Sequence, residues 1–470
     1  MAHSKSGESW QLVLENREEV IAALERGECE GILPAASGLF DDFASFCGEI
    51  GLLEMLSRLP DPRERRSIPA CFFGNLLVHK ALFRIPSLTQ AARVLFHSPD
   101  TLRRLGFNWR QMQEGFYSNG QRKPFNEEAL ADFFAGIGRQ RLWKYQLQVL
   151  GELLERCPEL VGWGTLTMDC LAVTVPAGHF KREGGQYKAC VLSGYREGRI
   201  YPLLCLFGGE HESDLVLGKR MMKAAAKLLP PQRGQAVYEL LLDRGFIDGA
   251  WIGELKEQGF EVVIGARSDM NIYEDLIGLS RLPETKWQRV EPPKYHHRER
   301  PKRYVTGFKE LKTWEACPVP LSGVVIRDEY TDHTNYQVVV STDEGLSATQ
   351  LEGCYRARWS IEEAFMELTR YWNIDELGSC RHPVYLAQVY FTFLAYALLG
   401  VFADRQAGEP LLPPLALFPG RELVVYHDTH YAILLASEVF EIVFAHFDAW
   451  RANQEKLLEA LRHCEGRAPP

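Results

Sequence analysis

The sequence predicts an α/β fold: a mixed sheet flanked by helices, preceded by an all-α N-terminal domain and interrupted by a mostly β insertion. Three observations carry this. Near Trp163 the hydrophobic period changes from helical to strand-like, and three β-rich runs are followed by helix, strand, helix and strand. An acid sits in the middle of the first run, and another ends the fourth. Near Tyr355 the period becomes helical again, on a stretch whose apolar stripe is bordered by a third acid.

A chain of 470 residues exceeds one simple core and is expected to form two to four domains. The expected division is a helical N-terminal domain over 1–160, a core in two parts over 161–267 and 346–405, a β-rich insertion over 268–345, and a C-terminal helical region over 406–470. Eleven cysteines without CxxC or regular spacing argue against a zinc site and a disulfide framework. A reduced cytoplasm suits them, and the polar opening segment has no signal-peptide pattern. Val384 to Ala403 is nearly long enough to span a bilayer, but it contains Gln388, Thr392 and tyrosines, which favours a helix buried inside the protein over a membrane partner.

In the N-terminal region, short periodic segments at Glu18–Arg26, Phe40–Leu59, Ile68–Phe83, Ser87–Leu95, Asp100–Leu105 and Asn126–Gly136 are broken by Pro, Gly or polar turns. The fourth and fifth fit either a helix-turn-helix, with Arg93, Arg103 and Arg104 toward DNA, or a plain bundle with solvated arginines. At the other end, Gly408 to Gly420 reads as a Pro-rich linker. Val439 to Leu461 reads as an amphipathic helix with Phe440, Val443, Phe444, Phe447 and Trp450 on its packing side.

In the core, Leu166–Val175 carries Asp169 in mid-strand. A carboxylate there is rarely buried without a partner or a metal. Lys188–Tyr195 and Ile200–Phe207 form a hairpin through Arg196–Arg199. After a helix, Ala236–Leu242 is an apolar strand ending in Asp243-Arg244-Gly245-Phe246, where α/β sheets place ligands. Asp248 competes with Asp243, but its place before the helix Gly249–Gln258 suits an N-cap. Glu261–Ala266 is the fifth strand. This is the order of the RNase H fold, which puts Asp169 and Asp243 on adjacent central strands.

From Tyr355 to Arg370 no Gly or Pro interrupts the helical period. Ile361, Ala364, Phe365 and Leu368 make the buried stripe, and Tyr355, Arg358, Glu362 and Thr369 follow one line along its border. Glu362, rather than Glu363, therefore faces the packed side. An ordinary i,i+4 ion pair would explain Arg358 and Glu362 alone. The whole spacing, Tyr355-x-x-Arg358-x-x-x-Glu362 within YRARWSIEEAF, resembles that of insertion-sequence DDE transposases of the Tyr-Arg-Glu-Lys signature group. The DRGF after the fourth strand is similar too.

The resemblance implies an RNase H-like catalytic domain and cut-and-paste DNA transposition. Asp169, Asp243 and Glu362 are expected to hold two Mg²⁺ or Mn²⁺ ions. Tyr355 and Arg358 would reach a DNA phosphate. The partners implied are double-stranded DNA, as terminal inverted repeats and target, and a second copy in a synaptic homodimer. The setting would be a bacterial, nucleoid-associated cytoplasm. One departure stands out: the family's lysine, seven residues after the glutamate, is Thr369 here, and Arg370 is an imperfect substitute around the helix.

The net charge of −9 is awkward for a DNA-binding protein, so local basic patches are required. The insertion supplies one. Lys286, Arg289, Lys294, Arg298, Arg300, Lys302 and Arg303 are interleaved with Trp287, Tyr295, His296 and His297. Trp287 is the first choice for stacking on a base and Trp314 the second; a solvated basic loop is the plainer account. Two other functions fit the same fold: an inactive or domesticated transposase that only binds DNA, and a different RNase H-like nuclease.

Overall fold

The computed structural model describes residues 13–34, 39–64, 68–96, 99–109, 112, 116–118, 121–123, 127–177, 185–229, 238–292, 300–406 and 422–450. The expected Pro-rich linker, the basic segment from Lys294 to Arg298 and the end of the last expected helix lie outside them. The chain forms two compact units. One comprises Met1–Tyr145, Glu376–Ala395 and Phe402–Pro470, and the other Gln146–Asp375 and Tyr396–Val401.

The second unit holds the mixed sheet. Its elements in chain order are β1 (Thr165–Val175), β2 (Gly185–Arg196), β3 (Arg199–Gly209), α1 (Asp214–Ala225), β4 (Tyr238–Leu242), α2 (Gly249–Glu257) and β5 (Phe260–Gly265). They are followed by α3 (Asn271–Ser280), β6 (Gln288–Val290), β7 (Lys302–Leu311), β8 (Leu321–Glu329), β9 (Thr334–Ser341), α4 (Ala348–Ala357) and α5 (Trp359–Trp372). The sheet order is β6-β7-β8-β9-β5-β4-β1-β2-β3. β1, β4 and β5 run parallel to one another, and their other neighbours are antiparallel. Leu240, Leu241 and Leu242 of β4 and Val262, Val263 and Ile264 of β5 are all buried, as expected of parallel strands covered on both faces. The β1-to-β5 order is that of the RNase H fold. The strands of the 268–345 segment do not build a sheet of their own: β9 pairs with β5, so they continue the central one.

The first unit is mainly helical, and it also contains a four-stranded sheet. Leu14–Glu15 and Gly31–Pro34 pair with the hairpin strands His430–Leu435 and Glu422–His427. Such short strands gain their β character from partners some 400 positions away, which local periodicity does not register. Arg103 and Arg104 point inward to Asp41 at 2.6 and 3.1 Å, and Arg103 is 1% exposed. These arginines anchor a helical core and are not presented to DNA, so the helix-turn-helix assignment fails for them. On the C-terminal helices, Val439, Val443 and Trp450 are buried, whereas Phe440, Phe444 and Phe447 are exposed, contrary to the expected packing side. The apolar helix His382–Gln406 is long enough to cross a membrane but is mostly buried within the protein.

Candidate active site

The register of β1 against β4 sets the first two acids side by side. Met168 lies opposite Leu242, so Asp169 and Asp243 follow on the next rung, Asp169 within its strand and Asp243 just past the end of the other. Asp248 is accounted for by another task. Its side chain caps α2 by accepting from the Trp251 amide at 2.9 Å, and it pairs with Lys219 at 2.6 Å.

The third acid arrives on a broken helix. α4 starts at a capping box, Ser347 with Gln350, a signal legible in the sequence. It ends at Ala357, and α5 begins at Trp359. Arg358 joins them, with three-residue hydrogen bonds from its amide to the Tyr355 carbonyl and from the Ile361 amide to its own carbonyl, both 3.2 Å. The single line from Tyr355 to Thr369 is therefore interrupted. Beyond the junction the expected stripe is buried: Ile361, Ala364, Phe365 and Leu368, with Trp372 added. Glu362 is half-buried and Glu363 exposed.

Tyr355 does not face a DNA groove. It is buried among Leu241, Val263, Val305, Val324, Ile326, Val339 and Leu351. A Cβ on Gly265 would lie 2.4 Å from its hydroxyl, so the glycine makes room for the ring end. Arg358 is also buried, at 6% side-chain exposure, contrary to the expected reach toward DNA. Its guanidinium sits among the three acids, 2.7 Å from Glu362, 3.7 Å from Asp169 and 3.8 Å from Asp243. Burial pushes the Asp169 carboxyl up to about 6. The Cys170 amide, bonded to it at 2.7 Å, opposes the shift, Asp243 adds to it, Arg358 opposes it and Glu362 adds to it.

Three carboxylates with surplus negative charge suit a hard divalent cation. As they stand, with the guanidinium between them, no three Asp, Glu, His or Cys side chains among the described residues are set to hold a metal ion.

The basic patch divides. Lys286, Arg289, Arg300 and Lys302 are exposed. Arg303 is not: strand alternation puts it on the same face as buried Val305, beneath α4. There it forms a bidentate pair with Asp328, both contacts 2.7 Å, and a 2.8 Å bond to Glu352. Its expected DNA role gives way to a structural one. Trp287 is half-buried under Arg327, whose guanidinium lies 4.2 Å from the indole and 4.9 Å from the Tyr304 ring. Trp314 is half-buried, as is Thr369, while Arg370 is exposed. The sequence reasoning missed Asp328, Glu352 and Arg327. A strand period over Lys302–Leu311 was the available signal for the inward turn of Arg303.

A mixed sheet whose adjacent strands and packed helix gather three acids defines the class of RNase H-like domains. Residues 177–398 match the family model described as Transposase DDE domain, a match that supports a DDE transposase. It includes Asp243 and Glu362 and starts beyond Asp169. The DDE transposase family generally uses divalent metal ions. A search of curated proteins finds no match.

Two outcomes are expected. Arg303→Ala leaves two buried carboxylates short of a partner and should cost about 3–5 kcal/mol in urea unfolding, without changing the salt dependence of DNA binding; a flatter salt dependence would return Arg303 to the DNA-contacting set. For Asp169, a carboxyl raised in the folded state holds its proton more tightly there than in the unfolded chain. Ionisation therefore costs stability, fully above about pH 6 and not at all below the ordinary 3.8. In metal-free protein, Asp169→Asn should be more stable than wild type at pH 7, with the difference vanishing as the pH falls toward 4. Chemical unfolding across that range checks it, and a difference independent of pH would contradict it.

Proposed function

We propose that this protein is a DNA transposase that cuts the ends of an insertion sequence and transfers them to target DNA. One observation supports the chemistry above others: Asp169, Asp243 and Glu362 come from adjacent strands and a packed helix and all face the guanidinium of Arg358. We assign all three as ligands of two Mg²⁺ or Mn²⁺ ions. When bound, such ions supply an activated water or DNA 3′-hydroxyl and charge stabilisation on the leaving oxygen. The protein's own part is placement. Asp169 is held by the Cys170 amide, Asp243 projects from the end of β4, and Glu362 opens the first turn of α5.

The DNA is assigned to the exposed cations of the insertion, Arg289, Arg300 and Lys302, and to Arg370 on the exposed side of α5. Thr369 adds a hydroxyl but no charge. Lys294 and Arg298 belong to the same basic stretch of sequence. Trp287 would have to shed Arg327 before stacking on a base. The substrate would be duplex DNA carrying terminal inverted repeats, bound by a homodimer that pairs two ends, in a bacterial cytoplasm close to the nucleoid.

Incubating the pure protein with the DNA that flanks its own gene, with and without Mg²⁺, tests the assignment. Asp243→Ala should lower strand cleavage by about 10³-fold, equivalent to about 4 kcal/mol of transition-state stabilisation, while leaving the fold intact and the DNA affinity measured without divalent metal unchanged. Wild-type cleavage by that variant would remove Asp243 from the site. For binding, Arg289→Ala with Lys302→Ala should reduce the slope of log affinity against log salt by about two. An unchanged slope would make this edge an ordinary solvated surface.

A further inference from the structure

Two arginines in this unit meet acidic partners in different ways, and the contrast carries an inference. Arg303 satisfies a carboxylate with two parallel 2.7 Å bonds and a second with one of 2.8 Å, which is how a guanidinium fork settles into a permanent ion pair. Arg358 is equally buried but poorly served. Only its contact with Glu362 is of hydrogen-bond length, Asp169 and Asp243 stand off at 3.7 and 3.8 Å, and Nε and Nη1 have no hydrogen-bond partner. Buried donors without acceptors are unfavourable, so the group is held there mainly by charge.

We propose that Arg358 is the internal counter-ion of the three carboxylates, occupying in the metal-free protein the space that metal requires, and that metal binds by displacing it. The inference rests on the assignment of Asp169, Asp243 and Glu362 as metal ligands. A single positive charge cannot neutralise three acids, whereas divalent ions can do so and bind the oxygens directly. The guanidinium also has somewhere to go. It lies at the junction of α4 and α5, where a side-chain swing needs no change in strand pairing, and 5.5 Å from the ring of Trp359, which is 55% exposed. Moving outward along that ring keeps a favourable cation–π contact.

Displacement leaves an arginine beside the newly occupied site, free to meet a phosphate. Metal and DNA then favour each other's binding, each drawing on the state in which Arg358 has left the acids, and the coupling is reciprocal.

The test is a Mn²⁺ titration, with free ion followed by electron paramagnetic resonance, on wild type, Arg358→Gln, Asp243→Asn and the Arg358→Gln/Asp243→Asn double variant. Arg358→Gln should bind Mn²⁺ at least about fivefold more tightly than wild type, the lower end of usual coupling between sites. Asp243→Asn should weaken binding with or without Arg358. Equal or weaker binding by Arg358→Gln, with the Asp243 dependence retained, overturns the counter-ion role and leaves the metal assignment standing. Binding that ignores Asp243, or no binding by any of the proteins, overturns both.

A measurement on wild type covers the case in which Arg358→Gln fails to fold. Arginine-specific dicarbonyl labelling, read by peptide mass spectrometry, should find Arg358 protected in metal-free protein and several-fold more reactive at saturating Mn²⁺. Unchanged protection at saturation overturns the proposal.

Discussion

The repulsion among three carboxylates in one half-buried cleft is the constraint on which the rest of the site depends. Asp169 and Asp243 are fixed side by side by the register of parallel strands, and Glu362 is brought to them by a helix packed on β1 and β3. Asp169 is the most enclosed of the three at 19% side-chain exposure, whereas Asp243 and Glu362 keep 41% and 35%. The cation beside them is Arg358, and burial, with Asp243 and Glu362, raises the Asp169 carboxyl against the opposing Cys170 amide and Arg358.

What the sequence made legible follows from which signals are local. Asp169 is visible because a carboxylate in a β-rich run is chemically out of place, and Asp243 because an apolar strand ends in Asp before Gly and a helix. The buried stripe of α5 is visible because its spacing is regular. The break at Arg358 is not visible, since both halves have helical period and the junction contains neither Gly nor Pro. Nor are the surroundings of Tyr355 visible, because they come from strands distant in sequence. Its ring lies beside Gly265 of β5, in the cluster of Leu241, Val263 and Leu351. Arg303 misleads for a related reason. A run of basic residues resembles a solvated face, and only the strand period of β7, together with acids 25 and 49 positions further on, turns one member of the run inward.

Those inward contacts give the segment between β5 and α4 a structural purpose beyond its basic surface. β9 extends the central sheet from β5, β8 and β7 extend it further, and α4 lies across the extension with Leu351 and Tyr355 in its core. Arg303 of β7 ties Asp328 of β8 to Glu352 of α4. Arg356, the next charged residue on that helix, bonds both Glu352 and the backbone carbonyl of Glu291, immediately after edge strand β6. A continuous run of ion pairs and hydrogen bonds therefore leads from the strand bearing exposed Arg289 to the end of α4. One residue beyond that end is Arg358. The exposed basic edge and the guanidinium that sits among the carboxylates are held by the same helix. The position of α4 thus links the basic edge to the acids, which is why the extra strands belong to the sheet rather than standing apart as an appendage.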